Sequence, residues 1–246
     1  MNRGRIRLTA SAVAAAAFAY LVSRQDWWSW ALARLFPALP QSTFPTATVG
    51  QLVVQHLEVV GISSALTVAV GVPLGIFVTR AAGRDFREIV AAGVDVGQTF
   101  PPVAVLALVV PWLGLGSAPA IVALFLYGLF PVVSNTVAGI DGVAPAVIDA
   151  ARGMGMGPWR ILLTVEIPLA ARVMMAGVRT SVIVNIGTAT VAAAAGAGGL
   201  GSPIFSGINL QNGAFVLEGA AAAALLAVIA DALLAGVEDA LAPAAA

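Results

Sequence analysis

Long apolar runs separated by short polar breaks set the pattern of this chain. A helix that crosses a hydrocarbon layer needs about 20 mostly apolar residues. Six runs of that kind can be counted: residues 7–23, 57–79, 89–113, 119–140, 173–195 and 214–236. No stretch keeps the sustained apolar–polar alternation of a membrane β-strand. The predicted fold is therefore all-α, a polytopic membrane protein with six transmembrane helices. Residues 1–50 divide off as a first helix and an outer connection, and residues 51–240 as the main transmembrane domain.

Composition agrees. Of 246 residues, 60% are hydrophobic and 10% charged, against about 25% charged in a soluble domain. All twelve basic residues are Arg. Without Lys there is no GxxxxGK[ST] loop to hold nucleotide phosphates, so the chain does not hydrolyse ATP by that route on its own. The absence of Cys removes disulfides, thiolate metal sites and cysteine nucleophiles, and a single His, His56, rules out a multi-histidine metal site. No metal and no nucleic-acid partner are expected.

Orientation follows from the excess of Arg in cytoplasmic loops. With the N-terminus inside, Arg3, Arg5, Arg7, Arg80, Arg84, Arg87, Arg152, Arg160 and Arg172 face the cytoplasm, and only Arg24 and Arg34 face out. Both termini are then cytoplasmic. The first run also reads as a cleavable signal, and its removal leaves the other five spans oriented as before. Residues 24–50, with Asp26-Trp27-Trp28-Ser29-Trp30, form the outer connection, where Trp suits the bilayer boundary.

The polar break at residues 141–172 is long for a connection between helices. Pro145 opens a short helix, Gly155 and Gly157 break it, and Pro158 suits the first turn of a second one. Pro168 is expected to end that second piece before the fifth span. Asp149 lies early in the first piece, where the helix dipole favours a carboxylate. Ala150, Ala151 and Gly155 present small side chains against which another backbone can approach.

This segment resembles the cytoplasmic signature of permease subunits of bacterial ABC importers: Glu-Ala-Ala, three residues, Gly, nine residues, Ile, one residue, Leu-Pro. Here the same frame holds Asp149, Ala150, Ala151, Gly155, Val165, Ile167 and Pro168, with Asp for Glu, Val for Ile and Ile for Leu. A running similarity over residues 51–240, including "GQTFPPVAVLALVVPWLGLG" and "LLAVIADALLAGVEDAL", resembles the permeases of osmoprotectant importers for glycine betaine, choline and carnitine. Methionine importer permeases share part of it. The resemblance implies a five-helix permease core in a bacterial inner membrane, preceded here by one more helix. It implies two ATP-binding subunits that hold ATP and Mg, docked at the seven residues of the frame. A second permease subunit, identical or homologous, and an outer substrate-binding protein complete the expected partners, with membrane lipid around them.

Two other patterns need a reading. Gly196 to Gly201 matches GxGxxG, with Glu218 beyond it, but follows a membrane span instead of a strand, so it reads as an outer turn. A solitary ion-coupled carrier is the rival class; such carriers show internal repeats, and no convincing repeat is present.

Ionisable residues inside spans face the protein interior or water. Asp95 and Arg179 each lie seven residues past a charged residue, Glu88 and Arg172, at the inner edge of their spans. That sets both about 10 Å deep. They are a candidate ion pair; separate solvation, or Asp231 as partner of Arg179, is the alternative. Gln98, Thr99, Ser134, Asn135, Asn185, Thr188 and Thr190 cluster near prolines or in the fifth span. They line the pathway or bond helix to helix. His56 and Glu58 read as interface residues.

Overall fold

A computed structural model describes residues 3–241, with side chains from residue 8 onward; the side chains of Arg3, Arg5 and Arg7 lie outside the described residues. The chain folds into α1 (Arg3–Ser23), α2 (Gln25–Leu35), α3 (Val49–Thr79), α4 (Arg87–Thr99), α5 (Pro102–Leu113), α6 (Ser117–Asp141), α7 (Pro145–Gly153), α8 (Pro158–Ile161), α9 (Ile167–Ala192), α10 (Gly201–Asn209) and α11 (Gly213–Ala240). Among the described residues there is no strand.

Four helical stretches are long and apolar enough to cross a membrane: Val49–Thr79, Ser117–Asp141, Pro158–Ala195 and Gly213–Ala240. The run expected as a single span at residues 89–113 is instead broken, with 95° between its two halves. Phe100 is extended and precedes Pro101 and Pro102, and a residue before proline is driven out of the helical region. The broken pair still runs the length of α6. Arg87, at its start, meets Asp141 at the end of α6 at 2.6 Å, while beyond its end Gly116 donates to the Ala195 carbonyl past α9. The first expected span falls on α1, a helix of 21 residues, whose stretch with described side chains, Leu8–Ser23, is apolar.

The helices α3, α6 and α9 form the centre, with α6 packed along both others. Membrane helices gain little from hydrophobic burial against one another, so close backbone approach matters. At Gly177 of α9 a Cβ would strike the Pro131 carbonyl oxygen and Asn135 on α6, and at Gly75 of α3 it would lie 2.7 Å from Thr136 Cβ. Around this centre, α11 packs on α9 and α10, and α1 on α11. Leu8 touches Gly236 while Phe18 lies beside Leu226, so α1 and α11 are antiparallel.

The start of α3 lies eight residues ahead of the apolar run. Thr48 and Gln51 form a capping box, in which Gln51 Oε1 accepts the Thr48 N–H at 2.9 Å and Thr48 Oγ1 accepts the Gln51 N–H. That reciprocal cap lets polar residues occupy a first turn.

Candidate coupling site

The segment between α6 and the centre of α9 has the expected outline, with one rearrangement. Pro145 occupies the first turn of α7. The helix ends in a left-handed residue, Gly155 at φ +77°, which non-glycine residues adopt only at a cost. Gly155 donates to the Arg152 carbonyl at 2.9 Å and Met156 to the Ala151 carbonyl at 3.1 Å, the pair of bonds of a Schellman ending. Gly157 is extended, and Pro158 begins α8.

Pro168 does not end the second piece. One helical stretch continues from Pro158 to Ala195. The turn over Leu162–Glu166 widens to a π-turn, and Ile167 donates to the Leu162 carbonyl. Proline lacks the N–H that would serve the residue four before it and crowds that carbonyl; the wider turn immediately ahead absorbs both effects. Thr164 donates its hydroxyl to the Arg160 carbonyl at 2.6 Å.

The small-residue surface divides. Ala150 and Gly155 are exposed, whereas Ala151 is buried, at 1% exposure, against the rest of the segment. On a helix, adjacent residues stand about 100° apart, so the pair cannot share one face. Asp149 is exposed and pairs with Arg152 at 3.3 Å. Val165 and Ile167 are half-buried and Pro168 is exposed. Met154 and Trp159 project outward at 70% and 75% exposure. Behind them a cavity of about 470 Å³ is lined by Thr79, Arg80, Asp141, Asp149, Arg152 and Glu166, among others. Across it Arg80, just past α3, holds Glu166 of the π-turn at 2.6 Å.

A family model described as "binding-protein-dependent transport system inner membrane component" matches residues 71–245. The chain belongs to this family. The permease is 45% identical over 181 residues to the osmoprotectant import permease protein OsmY of Salmonella typhimurium, covering 74% of this chain and 77% of that one. It is 43% identical to the choline transport system permease protein OpuBB of Bacillus subtilis, over 77% of this chain and 87% of that one. To the glycine betaine/carnitine/choline transport system permease protein OpuCB of the same organism it is 42% identical, over 77% and 86%. The inward-facing MetNI methionine ABC transporter shares its fold, with a TM-score of 0.72 at 21% identity, over 79% of this chain and 96% of that one.

Elsewhere in the permease, Arg179 does not meet Asp95. Its guanidinium holds Asp231 of α11 through two bonds, at 2.7 and 2.9 Å, and Glu238 at 3.1 Å. Equal depth did not decide the pairing because α9 turns this residue toward α11, while Asp95 sits on α4 over a cavity of about 310 Å³ beside Ser134. Among the described residues Asp95 has no ion-pair partner.

Of the candidate pathway residues, several make bonds within the bundle. Gln98 donates to the Tyr127 carbonyl at 3.4 Å, the carbonyl that Pro131, four residues on, leaves without a helical donor. Asn185 donates to Ser64 Oγ at 3.3 Å, linking α9 to α3. Asn135 donates to the Pro131 carbonyl at 2.8 Å within α6. Thr99 is exposed, and Ser134, Thr188 and Thr190 are half-buried.

His56 is not an interface residue: it is buried, with Nε2 bonded to the Ile186 carbonyl at 3.0 Å. Glu58, two residues on, is exposed. The glycine-rich turn packs on the same part of α3, where Gly199 donates to Gln55 Oε1; Gly196, Gly198 and Gly199 all have φ between +72° and +80°. Sequence reasoning also missed Glu218, which is fully buried and accepts the Phe44 N–H at 2.7 Å. Its position beyond the glycines was the only signal, and it pointed to the wrong chemistry.

Proposed function

We propose that this chain is the membrane-spanning permease subunit of an ATP-driven importer for osmoprotectants of the quaternary-amine class, such as glycine betaine, choline or carnitine. The observation that carries the reading is the seven-residue frame, set on an exposed helical hairpin that runs without interruption into a spanning helix. The solute class rests on the names of relatives at 42–45% identity.

On this reading α7 and α8 face the cytoplasm, as do both termini, and Asp149, Ala150 and Gly155 meet one of two ATP-binding subunits. Met154 and Trp159 supply apolar contact area to the same partner, and Ala151 sets the spacing beneath it. ATP and Mg belong to that partner, where hydrolysis takes place. Two permease subunits enclose one passage, and an outer binding protein delivers the solute. Nucleotide shifts the balance of outward and inward states through its different affinity for the two. The stretch Pro158–Ala195 and the Arg80–Glu166 contact carry hairpin motion into α9 and α3.

The test is uptake into proteoliposomes that contain the permease, its ATPase subunits and its binding protein. Labelled choline or glycine betaine should enter only with ATP inside reach of the ATPase. Uptake of methionine in preference to both overturns the solute class, and uptake by the permease alone overturns the ATP-driven reading.

A further inference from the structure

Two cavities beside α1 meet at the end of the bundle opposite α7 and α8. The first, about 600 Å³, is a groove between α1, α3 and α11 walled by Phe18, Ala19, Val22, Leu226, Ala230 and Leu233, among others; among the described residues that line it, Ser23 alone has a polar side chain. The second, about 490 Å³, shares Val22, Ser23, Gly50 and Val54 with the first, but its other walls include Gln25, Thr48, Gln51 and Gln55. An apolar slot thus opens directly into a glutamine-lined chamber. Each volume falls in the about 300–1,000 Å³ range of ligand sites.

The glutamines are held in one sense. Gln25 Oε1 accepts the Val49 N–H at 3.2 Å, Gln51 Oε1 the Thr48 N–H at 2.9 Å, and Gln55 Oε1 the Gly199 N–H at 3.1 Å. A backbone N–H only donates, so the amide oxygens are committed and the NH₂ groups are the free ends. The NH₂ groups of Gln51 and Gln55 have no acceptor among the described residues. The chamber therefore offers donors to a ligand rich in acceptors. Its level is that of Tyr20, Arg24, Trp27 and Trp30, where Arg24 bonds the Tyr20 hydroxyl at 3.0 Å, and such aromatic belts mark the headgroup region of a bilayer.

We propose that the joined cavities hold a membrane phospholipid, with an acyl chain in the groove and the phosphate or ester oxygens on the amides of Gln51 and Gln55. A phospholipid combines a long apolar tail with acceptor-only oxygens at one end, which is the order found here along the membrane axis. The site needs only that the chain be embedded in a bilayer and is independent of the solute carried.

The test is native mass spectrometry of the assembled transporter, delipidated and then titrated with phosphatidylglycerol and phosphatidylethanolamine. The wild type should retain a discrete phospholipid on each copy of this chain. Ala19→Trp fills the groove and should weaken retention. Gln51→Glu and Gln55→Glu keep an oxygen for Thr48 and Gly199 but replace the donor with an anionic acceptor, and should weaken it about tenfold. Val13→Trp, on an exposed position outside the groove, should retain the lipid. Absence of a discrete adduct on the wild type overturns the proposal, as does retention at wild-type strength in either the filled or the glutamate variants. Because the glutamate variants keep the fold-holding bonds, their result stands even if Ala19→Trp fails to assemble.

Discussion

Arg80 and Glu166 meet at 2.6 Å with their side chains 31% and 11% exposed, so the residue just past one spanning helix is bonded to the π-turn of the hairpin. Removing either charge leaves the other half-buried and unpaired. Glu166→Gln should cost about 1.5–3 kcal/mol, the usual worth of a hydrogen bond to a charged group. ATP hydrolysis in the assembled transporter should persist while uptake falls. Exchanging the two residues, Arg80→Glu with Glu166→Arg, should recover part of the uptake. Equal loss in the single variants and the exchange would refute a coupling role.

The Arg179 cluster calls for a different measurement. A double-mutant cycle on Arg179 and Asp231 should give a coupling energy of about 0.5–3 kcal/mol, read from the unfolding free energy in detergent micelles. The same cycle with Asp95 should be additive, since Arg179 bonds Asp231 and Glu238 instead.

These two pairs mark what a sequence discloses and what it withholds. Depth along a membrane helix is legible, because each residue adds a fixed rise. Azimuth is not, and so Arg179 was matched in depth to Asp95, while Asp231, named only as the alternative, is the residue it faces. Long apolar runs declared α6 and α11 nearly to their ends, yet the run at residues 89–113 hid a 95° break because its apolar residues continue on both sides of Pro101. In the hairpin, Pro145, Gly155 and Pro158 were readable since each serves a local backbone need. Ala151 and His56 were misread because their burial depends on which distant element packs over them.

Close helix contact at Gly177 gives a third expectation. Gly177→Leu sets a large side chain against the Pro131 carbonyl and Asn135, and overpacking of this kind costs about 1–3 kcal/mol or more. The thermal midpoint and membrane yield should both drop. Gly187→Ala, at a position with no neighbour within 4 Å, is the control and should leave both near wild type.

The two flanks of α4 differ enough to be told apart chemically. Val90, Val94, Gly97 and Gln98 are its more buried positions; Glu88, Asp95 and Thr99 lie on one exposed flank, Ile89 and Val96 on the other, and Phe100 is exposed just past its end. An uncompensated carboxylate within a membrane segment belongs beside water, whereas the apolar flank suits lipid. Since the chain contains no cysteine, single cysteines can be placed without background. A membrane-impermeant thiol reagent should label positions 88, 95 and 99 faster than 89, 96 and 100, and the transported solute should slow labelling at 95. The reverse order of rates would remove α4 from the wall of the passage.

The same cysteine-free background separates neighbouring alanines on the hairpin. Ala150 is exposed and Ala151 is buried beneath it, so only the first can touch a partner without unfolding α7. Ala150→Cys and Met154→Cys should cross-link to the ATPase subunit with a short bifunctional reagent, and nucleotide should change the yield. Ala151→Cys should remain unreactive in the assembled transporter and become reactive on denaturation. A strong cross-link from position 151 with none from 150 would mean that α7 presents its other face, and the hairpin would then dock by a surface this structure turns inward.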